Sequence, residues 1–180
     1  MSSTGTLPEA GPRSARTAEL GVELGAEAAG AAALHWRALE GLYRSAPVNA
    51  LFRSSLEILG EGQTRITFEI DESCFHAAGA AHGTVYFKML DDAAFYAANT
   101  LITDRFLLTT AFNLHFSKPV REGRIVAEGL WISGRRRVLV AESRLLDAEG
   151  EEVGRGTGTF MRSRIALSSI PGYATIAAAG

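Results

Sequence analysis

One cysteine, Cys74, stands in 180 residues. That excludes an intramolecular disulfide and any zinc site built on several thiolates, and it fits a reducing compartment. No apolar run approaches the ~18 residues that a bilayer crossing takes. The opening MSSTGTLPEAGPRSARTAEL lacks the continuous apolar core of a secretory leader, and Glu9 and Glu19 speak against a transit peptide, so a cytoplasmic chain is expected. Charge of one sign is not in excess either. Eighteen Lys and Arg against 20 Asp and Glu give a net charge of −2, and without a basic field neither nucleic acid nor an anionic membrane is an expected partner. What is present is ordinary globular material. With 47% hydrophobic and 21% charged residues, wholesale disorder is excluded and one domain with a real core is expected.

Residues 1–17, rich in Ser, Gly, Pro and Arg, read as a disordered tail. Residues 18–45 read as an N-terminal helical extension, with Leu34, Ala38 and Leu42 at helical spacing beside Leu39 and Tyr43. His35 and Trp36 there suit packing rather than chemistry. The main domain is expected over 46–163, with no boundary inside it and no internal repeat, and 164–180 as a C-terminal tail. SSLEIL and QTRITFEI flank Gly60-Glu61-Gly62, and the second run alternates Ile66, Phe68 and Ile70 against Arg65, Thr67 and Glu69, the period of a strand. Further strands are predicted over 106–117, 124–133, 137–147 and 152–163. Turn-forming pieces between them predict three antiparallel pairs in sequence order. Between the first two strands and the last four runs HGTVYFKMLDDAAFYAANT, one long helix. A curved antiparallel sheet must cover its apolar face, and this α+β order leaves that helix to do it.

The helix carries Asp91 and Asp92 in apolar surroundings, and ionised carboxylates are costly to bury without partners. On a helical wheel Val85, Met89, Ala93, Tyr96 and Ala97 form one stripe, with Lys88, Asp91, Asp92 and Asn99 opposite. A solvated face is therefore the plain reading, with Lys88 and Asp92 as an i,i+4 pair. The sharper reading begins at His82-Gly83. The first N–H groups of a helix lack intrahelical partners and its dipole makes that end electropositive, which suits a developing oxyanion. A carboxylate more than two turns along the same helix is a candidate base or nucleophile.

Gly79, His82 and Gly83 before a helix, Asp91 nine residues after the histidine, LTTAFNLHFSKPVREG and DAEGEEVGRGTGTF together resemble the hotdog-fold acyl-CoA thioesterases of the phenylacetate-pathway type, over roughly residues 46–163. The resemblance implies a sheet wrapped around the helix, and a homodimer or homotetramer with active sites at the subunit interface. It implies that the Gly83 N–H polarises the thioester carbonyl and that Asp91 is general base or nucleophile. A hydroxyl matching Thr109 helps place the water, supplied with the acid by one subunit while His82-Gly83 comes from the other. Thr110, one residue on, would point to the other face. Two positions depart from the family pattern. His76 stands where Asn is usual, and neutral imidazole can also donate to the thioester. Thr84 stands where a second glycine is usual, where it either narrows the pocket or caps the helix.

Phe87 and Phe95 are candidate linings for an aryl or medium-chain acyl group. Arg135 and Arg136, in the Arg135–Arg137 run, are candidate contacts for the phosphates of coenzyme A, since the guanidinium fork suits phosphate. His115 is read as a strand residue facing solvent or a partner. No metal is expected, because the paired aspartates lack companion ligands, and no cofactor beyond the coenzyme A of the substrate. The expected reaction is hydrolysis of a small aryl- or medium-chain acyl-CoA to free acid and CoA. Two rivals stand beside it. One is a non-catalytic binder of acyl-CoA or an aromatic acid. The other is an enoyl-CoA hydratase of the same fold, for which Asp71 and His76 have the spacing but not the intervening residues.

Overall fold

A computed structural model describes the backbone of residues 12–179 and the side chains of 25–179; residues 1–11 of the expected tail lie outside it. The described residues divide into two units, one up to Leu34 and one from His35 on. Helix α1 runs Pro12–Ser45, so residues 12–17 are helical rather than part of a disordered tail. Side chains 25–34 are exposed or half-buried. From His35 onward the helix belongs to the second unit, which moves the expected boundary at 45/46 back by about ten residues. There Ala38, Leu39, Leu42 and Tyr43 form a buried stripe, the apolar spacing read from the sequence.

A short α2 (Pro47–Phe52) opens on a proline at its first turn and stops at Arg53, whose φ of 49° is left-handed. Strands β1 (Ser55–Gly60) and β2 (Gln63–Ile70) form a hairpin over Glu61-Gly62, where Gly62 takes φ of 74°. In β2, Thr64, Ile66, Phe68 and Ile70 point inward. Helix α3 (Gly83–Asn99) follows, then β3 (Arg105–Phe116), β4 (Gly123–Ser133), β5 (Val138–Leu146) and β6 (Glu152–Ala166). All six strands join one antiparallel sheet in the order β1-β2-β4-β5-β6-β3. No described helix is long and apolar enough to cross a membrane.

The sheet order corrects one expectation. β3 does not pair with β4; it lies at the far edge, against β6. The connection at 117–122 cannot make a tight hairpin because it is tied to the start of α3. The Ala81 N–H donates to the Val120 carbonyl at 2.8 Å, the Val120 N–H donates to the Tyr86 hydroxyl at 2.7 Å, and that hydroxyl donates to the Lys118 carbonyl at 3.3 Å. The chain therefore crosses the mouth of the helix before it enters β4.

The middle of α3 is fixed to the sheet by two hydroxyls. Thr64 donates to the Ala93 carbonyl and Ser143 to the Leu90 carbonyl, each at 2.7 Å and buried, worth about 1 kcal/mol apiece. At Gly129 a Cβ would lie 2.1 Å from the Ala93 oxygen, so helix and sheet touch there backbone to backbone. This is the α+β hotdog arrangement: a curved sheet around one long helix. The expected C-terminal tail is structured as well. β6 continues to Ala166, and α4 (Pro171–Ala177) lies on α1, where a Cβ on Gly41 would strike Ile176. Buried His35 bridges the Tyr173 hydroxyl at 2.7 Å and the Asn99 carbonyl at 3.1 Å. Burial holds its pKa below the usual imidazole value.

Candidate active site

The N-terminus of α3 is built by its own neighbours in sequence. His82 is the N-cap: its Nδ1 accepts from the Thr84 N–H at 3.1 Å and meets the Thr84 hydroxyl at 3.0 Å. A ring nitrogen that accepts is unprotonated, so the neutral ring carries its hydrogen on Nε2. Thr84 therefore takes part in the cap. Gly83, the first helical residue, has an N–H with no intrahelical partner, and a Cβ there would lie 3.1 Å from the Phe116 ring. Before it, residues 75–81 fold back as a small loop closed by the Phe75–Ala81 bridge. Next to that bridge His76 is exposed, and its Nδ1 accepts from the Ala78 N–H at 3.0 Å. That leaves Nε2–H as the donor His76 can offer.

Asp91 lies eight residues beyond Gly83, about 12 Å along the axis at 1.5 Å per residue. The Thr109 hydroxyl of β3 donates to Asp91 Oδ1 at 3.0 Å. A bulge makes this possible. Thr109 pairs with Phe160 and Ala111 with Thr159, leaving Thr110 as the extra residue, its hydroxyl bonded to the Thr159 carbonyl at 2.9 Å. Without it, period-two alternation could not turn both Thr109 and Phe112 toward α3. The Asp91 carboxyl is pushed up to about 6, first by burial and then by the neighbouring Asp92 charge, against the opposing pull of the Thr109 hydroxyl and the Lys88 ammonium.

Asp91 and Thr109 share a cavity of about 250 Å³ with Val48 and Asn49 of α2, Phe95, and Phe106 and Leu108 of β3. Phe95 is buried in an aromatic cluster with Tyr96, Phe106 and Phe160. A larger hollow of about 570 Å³ lies on the other face of the sheet. Of its charged side chains, Arg65, Glu128 and Arg144 form a cross-strand series with Glu57, and Arg155 pairs with Glu152.

Asp92 corrects a second expectation. It is not on a wet face: the side chains of Lys88 and Asp92 are only 14% and 19% exposed and pair with each other beneath α2. Lys88 Nζ also donates to Asn49 Oδ1 at 2.6 Å, and Asn49 Nδ2 donates to the Tyr43 carbonyl at 2.6 Å. Burial raises the Asp92 carboxyl, and Lys88 opposes it. The i,i+4 spacing was visible in the sequence, but its burial was not, because the cover comes from α2.

The remaining candidates scatter. Phe87 is 43% exposed and stands edge-on to Phe112 at 5.9 Å, outside the Asp91 cavity. Arg135 is held by Glu61 at 2.6 Å and stacks over Trp131 at 4.8 Å. Arg136 is exposed, and its carbonyl accepts from Arg162 at 3.4 Å. Within the chain the structure thus brings Asp91, Thr109 and Phe95 together, gathers His82, Gly83 and Thr84 at the helix mouth with His76 on the loop before it, and leaves Arg135 and Arg136 on the β4–β5 hairpin. Among the described residues, no three His, Cys, Asp or Glu side chains form a metal-ligating group.

Comparison with known proteins bears on this geometry. The family profile described as "Thioesterase superfamily" matches residues 78–154. A candidate esterase of Saccharolobus solfataricus is 30% identical over 105 residues, covering 58% of this chain and 70% of the relative. Among solved structures, the PaaI protein of the Escherichia coli phenylacetic acid degradation operon superposes with a TM-score of 0.69 at 15% identity, covering 75% of this chain and 97% of that one. A Haemophilus influenzae thioesterase superposes with a TM-score of 0.62 at 18% identity, covering 68% and 86%. A point mutant of the phenylacetic acid degradation protein PaaI from Thermus thermophilus gives 0.60 at 21%, covering 66% and 100%. At those identities the structures speak to the fold.

Proposed function

This chain belongs to the thioesterase superfamily, a thioester hydrolase by family, and from that premise we propose that it hydrolyses a small aryl- or medium-chain acyl-CoA with Asp91 as the proton acceptor. The observation that carries the reading is the half-buried Asp91 carboxyl, held by Thr109 in an apolar cavity and pushed up to about 6. A group so placed is largely ionised at neutral pH yet retains basicity, which is what a general base needs.

The proposed reaction starts with the thioester oxygen on the Gly83 N–H at the electropositive mouth of α3, with His76 Nε2–H as a second donor. Asp91 takes a proton from water as its oxygen attacks the carbonyl carbon. The tetrahedral oxyanion collapses, the C–S bond breaks, and the CoA sulfur leaves with the proton from Asp91. Attack by the carboxylate itself, followed by hydrolysis of the anhydride, gives the same products. About 12 Å of helix separates Gly83 from Asp91. One protomer therefore cannot bring both to one carbonyl, and the two halves come from partners related by a two-fold axis. Unpaired on its outer side, β3 is the edge along which two such sheets would join.

Phe95 and Phe106 suit an acyl or aryl group beside Asp91. Arg136 and Arg137, exposed in the turn between β4 and β5, suit the phosphates of coenzyme A. Arg135, already paired with Glu61, is not part of that set. No cofactor beyond the CoA of the substrate enters the reaction. The experiment is release of free thiol from aryl-acetyl, benzoyl and straight-chain acyl-CoA esters. Thiol release supports the reading. Thermal protection without turnover would make the protein a binder, and hydration without thiol release would make it a hydratase.

A further inference from the structure

Lys88 has no place in the reaction just described, yet it lines the same cavity as Asp91, one helical turn before it. A lysine there could pair directly with Asp91 and quench it. It is prevented from doing so. Its ammonium bonds Asp92 on α3 and Asn49 Oδ1 on α2, and it sits 5.1 Å from the centre of the Tyr43 ring and 5.6 Å from that of Phe52. Asn49 is in turn fixed by its own donation to the Tyr43 carbonyl. The positive charge is thus close to Asp91 while its hydrogens are directed elsewhere, and Asp91 keeps its bond from Thr109.

We propose that Lys88, clamped between Asn49 and Asp92, is a positioning residue that holds Asp91 in its ionised form without bonding it, so that the short helix α2 governs the charge state of the base. The claim that this matters for turnover rests on Asp91 being the base. The charged groups lining the cavity are Lys88, Asp91 and Asp92, all on α3, beside the neutral Tyr96 phenol; β3 contributes the Thr109 hydroxyl, α2 the uncharged Asn49 carboxamide, and α1 the neutral Tyr43 that faces Lys88. The two neighbours act in opposite directions on Asp91: the Asp92 charge disfavours its ionisation and the Lys88 charge favours it.

Opposed signs make the test sharp. The Asp91 carboxyl carbon is followed by NMR against pH in the wild type, Lys88→Met, Asp92→Asn and the double variant, beside the pH profile of kcat/KM. Asp92→Asn should move the Asp91 titration and the acid limb to lower pH, and adding Lys88→Met to it should move both back toward higher pH. Lys88→Arg should keep the wild-type limb. Should Lys88→Met fail to fold around an unpaired Asp92, the double variant compared with Asp92→Asn isolates the lysine, and its titration should lie higher. Asn49→Ala should shift Asp91 in the Lys88→Met direction, by less. A double-variant titration that does not lie above that of Asp92→Asn overturns the proposal. A rate profile that fails to follow a moved titration overturns Asp91 as the base and leaves the clamp standing.

Discussion

The two ends of the α3 site are built in opposite ways. At the mouth, the hydrogen bonds of the candidate groups themselves are local: His82 caps Thr84, His76 accepts from Ala78, and Gly83 offers the N–H that any helix start leaves over. Eight residues on, the support comes from distant elements. Asp91 depends on Thr109 of a distant strand, and Asp92 depends on Lys88 beneath a helix from before the first strand. A donor made of backbone needs only a helix to begin. A carboxylate with a raised pKa needs cover brought from elsewhere in the chain. The same contrast divides the two aspartates: one keeps an oxygen available beside an apolar cavity, and the other is consumed by an ion pair.

Removing Asp91 should have the largest effect. Asp91→Asn keeps the size and the Thr109 contact, and should lower kcat/KM by about 10²–10⁴-fold with an unchanged circular dichroism spectrum. In the wild type, kcat/KM should rise with pH through about 6, since the base works only once ionised. Asp92→Ala breaks the contrast from the other side. It strands a buried ammonium and should cost about 3 kcal/mol in urea denaturation, far more than a surface pair would. A cost under about 1 kcal/mol would return Asp92 to the solvated face.

The plain helical wheel placed Lys88 and Asp92 in water because it sees one helix at a time. It could not know that Pro47–Phe52 would fold over them. The strands were readable nearly to the residue, since half-buried antiparallel strands alternate strictly. Their order was not: the crossing of β3 to the far edge is set by Tyr86 and Ala81 bonding the connection at 117–122, contacts between residues more than thirty positions apart. Thr109 was distinguishable from Thr110 only through resemblance, because the bulge that decides between them belongs to the pairing with β6.

Smaller effects sharpen the same contrast. Gly129→Ala pushes a methyl against the Ala93 carbonyl and should destabilise by about 1–3 kcal/mol in urea denaturation. Thr109→Val removes the bond that favours the ionised Asp91, so the acid limb should move to higher pH with roughly a tenfold loss at neutral pH, about the value of one hydrogen bond to a charged group. Thr110→Val should leave the profile unmoved. His82→Ala, at the locally built end, should cost only about 1 kcal/mol as a lost cap, read from the thermal midpoint.

The measurement that tests the central claim most directly is subunit mixing. Gly83→Pro removes the mouth's N–H while a proline remains acceptable at the first helical position, and Asp91→Asn removes the base. Each variant alone should be nearly inactive in thiol release, provided circular dichroism shows it folded. Unfolded and refolded together in equal amounts, they should recover roughly a quarter of wild-type activity, because random pairing leaves one intact site in half of the dimers. Mixtures that stay as inactive as their parents would contradict a site shared between two copies of this chain.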